Sequence, residues 1–233
     1  MNILSNLSLI KRNGYLAQGA MLGGLVVLGT GMFISFRYPE QFNWSLIALL
    51  LGFILSQLGI FYSNRFGRRP RVDELLNLSL KGLDGKYTLY HYLTPVSHLL
   101  VGPVGIWILM PRHQRGLIQF SNGRWRQKGG NLYLKLFAQD SLGRPDIDLQ
   151  AEMNKLQRFL ESKLEQDQVP PIQAALVFTN PKASIDISEE DTPPALTVGL
   201  AKLKDSIRKN SKSKTLSADK IRAITQLFPT ENK

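Results

Sequence analysis

AQGAMLGGLVVLGTGMFISF, residues 17–36, and WSLIALLLGFILSQLGIFYS, residues 44–63, each lack any charged side chain. Each runs for about 20 residues, and at about 1.5 Å of rise per residue such a helix matches a hydrocarbon layer about 30 Å thick. Helices of a soluble core would alternate apolar and polar faces at helical period. Apart from Gln18, Gln57 and small hydroxyl residues, neither stretch offers a polar side chain. A cleaved signal peptide fits less well: the first stretch is too long, has no clear cleavage site and is followed at once by a second. Residues 17–63 therefore read as a helical hairpin crossing a bilayer twice.

The flanks set its orientation. Pro39 and Asn43 break the helix between the stretches, and Tyr38, Phe42 and Trp44 suit the headgroup level. Lys11 and Arg12 precede the first stretch, and Arg65, Arg68, Arg69 and Arg71 follow the second. Positive charge is retained on the cytoplasmic side, so the sequence predicts an integral protein of the cell membrane with both termini and its soluble part in the cytoplasm. The chain has no cysteine, which suits a reducing compartment. Gly19, Gly23 and Gly24 on one helix, and Gly52 and Ser56 on the other, form small-residue faces that would let the two helices approach closely.

The rest of the chain is long enough for one compact domain with its own core. The net charge is +11, and its distribution is uneven. No acidic residue lies between Asp84 and Asp140, a stretch that holds Lys86, Arg112, Arg115, Arg124, Arg126, Lys128 and Lys135. Val72–Lys81 has apolar residues at helical spacing, and Gly82, Asp84 and Gly85 end it. Tyr87–Leu93, Ser97–Val101, Gly105–Met110 and Gly116–Phe120 read as strands, with tight turns at Gly102–Gly105 and at Asn122-Gly123. Ile147–Leu164 repeats Leu149, Met153, Leu156, Leu160 and Leu164 at steps of three and four, a helix. Ile172–Thr179 is continuously apolar, as in a strand buried on both faces. An acidic loop from Asn180 to Pro194, a helix over Val198–Lys209, a tether over Lys209–Thr215 and a last helix capped by Ser217 complete the chain. The predicted class is α+β, with one mixed sheet flanked by helices and preceded by two transmembrane helices. The segments are residues 1–16 on the cytoplasmic side, the hairpin 17–63, the domain 64–208, and a flexible tether with a C-terminal helix over 209–233.

This order, and the text of Val96–Arg112 (VSHLLVGPVGIWILMPR), resemble the nuclease-related domain, NERD, of the PD-(D/E)xK nuclease-like fold. The family typically reads as an Asp-His pair, an apolar run, Gly-Pro-x-Gly, and apolar residues leading to Glu-x-Lys. Gly116-Leu117-Ile118, Gly143-Arg144-Pro145, Val169–Thr179 and Leu216–Leu227 are similar to later parts of the family. The resemblance implies a restriction-endonuclease-like sheet and a site where Asp and Glu hold a divalent cation and Lys activates water. Those positions fall here on Ser97, Met110 and Arg112. A hydroxyl and a thioether do not replace two carboxylates around magnesium, and Arg does not readily give up a proton. The resemblance thus implies a degenerate site, an inactive enzyme, and no metal or other cofactor.

What remains is a basic surface. Arg112, Arg115, Arg124, Arg126 and Lys128, interleaved with Trp107, Trp125 and Tyr133, suit a polyanion, either nucleic acid or anionic lipid. Two other readings stand beside it. One is a scaffold that binds another protein through a sheet edge or the tethered C-terminal helix. The other is an active nuclease with a migrated site built from Glu74, Asp140, Asp146 or Asp148. His91 and His98 read as packed strand residues rather than metal ligands, and His113 as surface.

Overall fold

The computed structural model describes residues 1–129, 141–165, 168–188, 190–210 and 216–232. The chain divides into two compact units. One holds Met1–Leu7 with most of the chain from Val72 onward, and the other holds Ser8–Arg71.

The second unit is built on two helices, α1 (Leu7–Arg37) and α2 (Phe42–Tyr62), joined by a single 3-10 turn at Pro39–Gln41. Both are long and apolar enough to cross a membrane. Their large apolar side chains, Leu22, Leu25, Phe33, Leu50 and Ile54 among them, point outward. What they bury is small. Ala17, Gly24 and Gly31 on α1 and Ser45, Gly52 and Gly59 on α2 are buried, each set seven residues apart. A seven-residue repeat keeps one seam facing the partner helix over several turns. The helices approach so closely that a methyl group on Gly24 would meet Ser56 Oγ at 2.8 Å, and one on Gly59 would meet Met21 Cγ at 2.6 Å. Ser45 Oγ donates across the seam to the carbonyl oxygen of Gly31 at 2.8 Å. Gly19 and Gly23, expected on this seam, have nothing within 4 Å of an added methyl group, so the small face that packs is the one through Gly24.

The first unit is α+β, with two sheets. The larger has the order β1-β2-β3-β4-β7-β9, from Asn2–Ser5, Thr88–His91, His98–Gly102, Gly105–Arg112, Ile172–Phe178 and Leu196–Gly199. β2, β3 and β4 form an antiparallel meander, while β1 joins β2, β7 joins β4 and β9 joins β7 in parallel. The β3–β4 turn needs its glycines: the ring of Tyr87 lies where a side chain at Gly102 would go, and Gly105 has φ +109°.

Both faces of this sheet are covered. One carries Leu89, Leu100, Trp107, Leu109 and Val177 and packs against α3 (Val72–Ser79) and α5 (Leu200–Asn210). The other carries Tyr90, Leu99, Val101, Ile106 and Ile108 and packs against α4 (Pro145–Glu161) and α6 (Ala218–Gln226). Period-two alternation in the strands sends successive residues to opposite helical layers. Each fully buried Leu or Ile contributes roughly 1.5–3 kcal/mol by leaving water. The smaller sheet, β6-β5-β8, joins Arg124–Lys128, Gly116–Ser121 and Ala183–Ile187.

Three segments depart from the sequence reading. Residues 1–16 are no plain flank: Asn2–Ser5 is an edge strand of the main sheet, and α1 starts at Leu7, ten residues before the uncharged stretch. The acidic loop after Asn180 contains β8, and a short strand, β9, precedes α5, which starts at Leu200 rather than Val198. The C-terminal helix does have Ser217 as its cap, accepting from the Lys220 N–H, but it is docked on its own domain. Ile224 and Phe228 are buried in the face beside β3, and the Leu216 N–H donates to the Pro103 carbonyl. Residues 211–215 of the expected tether lie outside the described residues.

Candidate functional site

The five cations singled out in the sequence separate into two groups. Asn122 and Gly123 both adopt left-handed backbone, φ +51° and +67°, the signature of a two-residue hairpin turn whose twist matches the flanking strands. That turn fixes the register of β5 against β6, with Ser121 opposite Arg124, Gln119 opposite Arg126 and Leu117 opposite Lys128. Alternation then decides the faces. Arg124, Arg126 and Lys128 are exposed, and Trp125 and Gln127 turn inward. Trp125 packs on Phe120, ring centroids 4.8 Å apart, over Ile118, Leu176 and Phe178. Gln127 is held at both ends of its amide, accepting from the Leu142 N–H and donating to the Arg115 carbonyl.

The outer face is thus a row of three cations about 6.8 Å apart along one strand. Beside them stand Leu117, Gln119 and Ser121 of β5, then Ser184 and Asp186 of β8. Among the described residues no carboxylate pairs with Arg124, Arg126 or Lys128. Asp186 accepts instead from Gln119 Nε2 at 2.7 Å. It sits two strands from Arg126, roughly 9.6 Å between strand axes, and a second carboxylate, Asp191, accepts from the Asn122 N–H at the Arg124 end of the row. Arg115 is half-buried and precedes β5 at the Lys128 end.

Arg112 belongs elsewhere. It ends β4 on the face that α4 covers, and its Nη2 donates to Asp148 Oδ2 at 2.6 Å and lies 3.4 Å from Met110 Sδ. Among the described residues its buried Nε has no hydrogen-bond partner. It is engaged internally and is not a cation of the exposed row. Met110 is half-buried against the same helical layer, and Ser97 is exposed just ahead of β3. So the three positions the resemblance pointed to hold a hydroxyl, a thioether and a guanidinium already matched to a carboxylate.

The acids of the migrated-site reading are dispersed. Glu74 is on α3 and Asp148 on α4, on opposite sides of the sheet. Asp146 faces Arg144 at 3.5 Å, and Asp140 lies outside the described residues. Among the described residues no group of three His, Asp or Glu side chains could hold a metal ion.

His91 and His98 are packed strand residues, as the sequence predicts, but their contact with each other is not read from it. His91 and His98 face each other across β2 and β3, fully buried, with their Nδ1 atoms 2.8 Å apart. His91 Nε2 lies 2.9 Å from Asn77 Oδ1 on α3. An amide oxygen only accepts, so His91 carries its proton on Nε2, its Nδ1 accepts, and His98 donates from Nδ1. Burial lowers His91 from 6.5 to about 4, and the nearby Asp73 carboxylate pulls weakly the other way. His91 is therefore uncharged at neutral pH. Tyr92, with φ +58°, sets its ring 4.9 Å from that of His98. The antiparallel register of Tyr87–Leu93 with Ser97–Val101 was the signal that could have paired the two histidines.

No protein-family model matches this chain, and neither does any curated protein or solved structure.

Proposed function

We propose that this chain is a membrane-anchored, catalytically inactive relative of the nuclease-related domain, of restriction-endonuclease-like fold, that binds a polyanion through the outer face of its small sheet. The observation that carries the reading is the exposed row Arg124, Arg126 and Lys128, with which no carboxylate among the described residues forms an ion pair. Sequestration of Arg112 by Asp148, in place of a carboxylate pair open to magnesium, supports loss of the nuclease chemistry.

The anchor is the helical pair. β1 precedes α1, β2 follows α2, and the two strands pair. A chain that leaves one domain and returns to it makes an even number of crossings, which supports a hairpin with both flanks on one side. Lys11, Arg12 and the four arginines from Arg65 to Arg71 support a cytoplasmic location for that side.

The test uses the full chain in neutral nanodiscs, titrated separately with labelled duplex DNA and with anionic vesicles. Binding of either that fails in R124E/R126E/K128E is the expected result. Binding of neither at 50 mM salt overturns the polyanion reading. Magnesium-dependent scission of the DNA, lost in Glu74→Ala, overturns the inactive one.

A further inference from the structure

We infer that the polyanion read by the Arg124–Arg126–Lys128 row is the anionic headgroup layer of the bilayer that anchors the chain, an inference that rests on the polyanion reading above. Three observations lead to it. First, among the described residues the face has no ring to stack on. Sequence-tolerant binding of single strands relies on aromatic platforms. Trp125 is turned under the sheet against Phe120, Trp107 is 2% exposed inside the main sheet, and Tyr133 lies outside the described residues. Leu117, Gln119 and Ser121 are what the central strand presents. Such a face reads phosphate as charge and does not read bases.

Second, the row is short. Each Lys or Arg near an anionic leaflet contributes about a fivefold preference, so three give roughly 150-fold. For a freely diffusing nucleic acid that is a weak site, since affinity there grows with the number of phosphates neutralised. For headgroups it suffices. The chain's own apolar helices hold the domain near the bilayer, and a tethered site meets its target at an effective concentration of order millimolar.

Third, a second basic cluster of the same chemistry lies on the chain. Arg65, Arg68 and Arg69 follow α2 directly and are exposed, with Arg71 two residues further on. Basic clusters next to a membrane span favour anionic lipid.

Because the chain has no cysteine, Ser184→Cys, on β8 beside the row, gives a single labelling position. The full chain carrying a donor dye there is placed in nanodiscs with acceptor-labelled headgroups. One set is phosphatidylcholine alone and the other holds about a third phosphatidylglycerol, in keeping with an anionic leaflet. The expected result is stronger transfer in anionic discs, lost in R124E/R126E/K128E and at 1 M salt, where the screening length falls to about 3 Å. The salt arm needs no variant, so a variant that fails to fold does not blunt the test. Equal transfer in both discs together with duplex DNA binding that needs the row overturns the lipid assignment and leaves the polyanion reading standing. Equal transfer with no binding of DNA or anionic vesicles overturns both.

Discussion

Arg112 and Arg126 lie fourteen residues apart, carry the same charge, and meet opposite fates. Arg112 ends a central strand of the main sheet and is matched to Asp148 within the domain, its side chain 18% exposed. Arg126 sits in the middle of an edge strand, exposed, with neutral Gln119 opposite. Sheet position makes the difference. A central strand covered by helices admits a cation only with a partner, because an unpaired buried charge is costly. An edge strand with one face open to water tolerates cations at every second residue, and also gains protection from edge-to-edge pairing. Charge that serves stability and charge proposed to serve a ligand are therefore separable by mutation.

The largest effect should fall on binding. R124E/R126E/K128E removes three favourable charges and installs three repulsive ones, so affinity for an anionic surface should fall by 100-fold or more, on the order of 1 kcal/mol for each cation removed. Stability should hardly change, since exposed substitutions away from special features usually stay within about 0.5 kcal/mol each. Vesicle co-sedimentation and urea unfolding on the same samples check both halves. Lost binding with an equally large loss of stability would erase the contrast with Arg112.

Next comes the histidine pair, an engaged polar group with a pH signature. The unfolded chain takes up a proton on His91 near pH 6.5, and the folded chain does so only near 4. Stability is therefore full above about pH 6.5 and declines as pH falls toward 4, by on the order of 3 kcal/mol. Urea midpoints of the full chain at pH 7.5 and 4.5 measure it. His91→Phe should flatten the slope, at a fixed cost from stranding Asn77. An undiminished slope in that variant would place the proton elsewhere.

The helices repeat the contrast between neighbours one residue apart. Gly24 is pressed against Gly52 and Ser56, whereas Gly23 faces open space. Gly24→Leu should destabilise the hairpin by about 2 kcal/mol through overpacking. Gly23→Leu should be neutral or mildly stabilising, because glycine is a poor helix former. Steric trapping or thermal scans in detergent distinguish them, and equal behaviour would mean the seam runs through a different face.

How much of this was legible in the chain depends on how local each decision is. The Gly102–Gly105 turn, the Asn122-Gly123 hairpin, the Leu-rich α4 and the Ser217 cap are decided within a dozen residues, and the sequence reading located each of them. β1 is four residues whose partner, Thr88–His91, lies more than 80 positions away, too short to show a period of two. β8 alternates Ile185 and Ile187 with Ser184 and Asp186, but acidic residues and prolines around it mask the pattern. The row on β6 was visible as charge but not as a face, which needed the hairpin register. Arg112 was grouped with it because sequence proximity does not reveal that Asp148 closes back onto β4. Gly24, Gly52 and Ser56, which the sequence marks as small-residue faces, do lie at the close approach, and the seven-residue spacing of Ala17, Gly24 and Gly31 against Ser45, Gly52 and Gly59 is what separates them from Gly19 and Gly23, which face open space.

The smallest effect should come from Arg112 itself. Its partner Asp148 is 54% exposed, so water screens the pair, and the interaction contributes about 1 kcal/mol or less. Arg112→Gln should lower stability by about that much, and Asp148→Asn in the same background should cost little more, because the bond is already gone. Binding of anionic vesicles should stay within about twofold of the parent, against the 100-fold loss expected for the β6 row. If Arg112→Gln weakened binding as much as Arg126→Gln, a guanidinium held by a carboxylate would still be reaching a ligand, and the separation between structural and binding charge would fail where it is drawn most sharply.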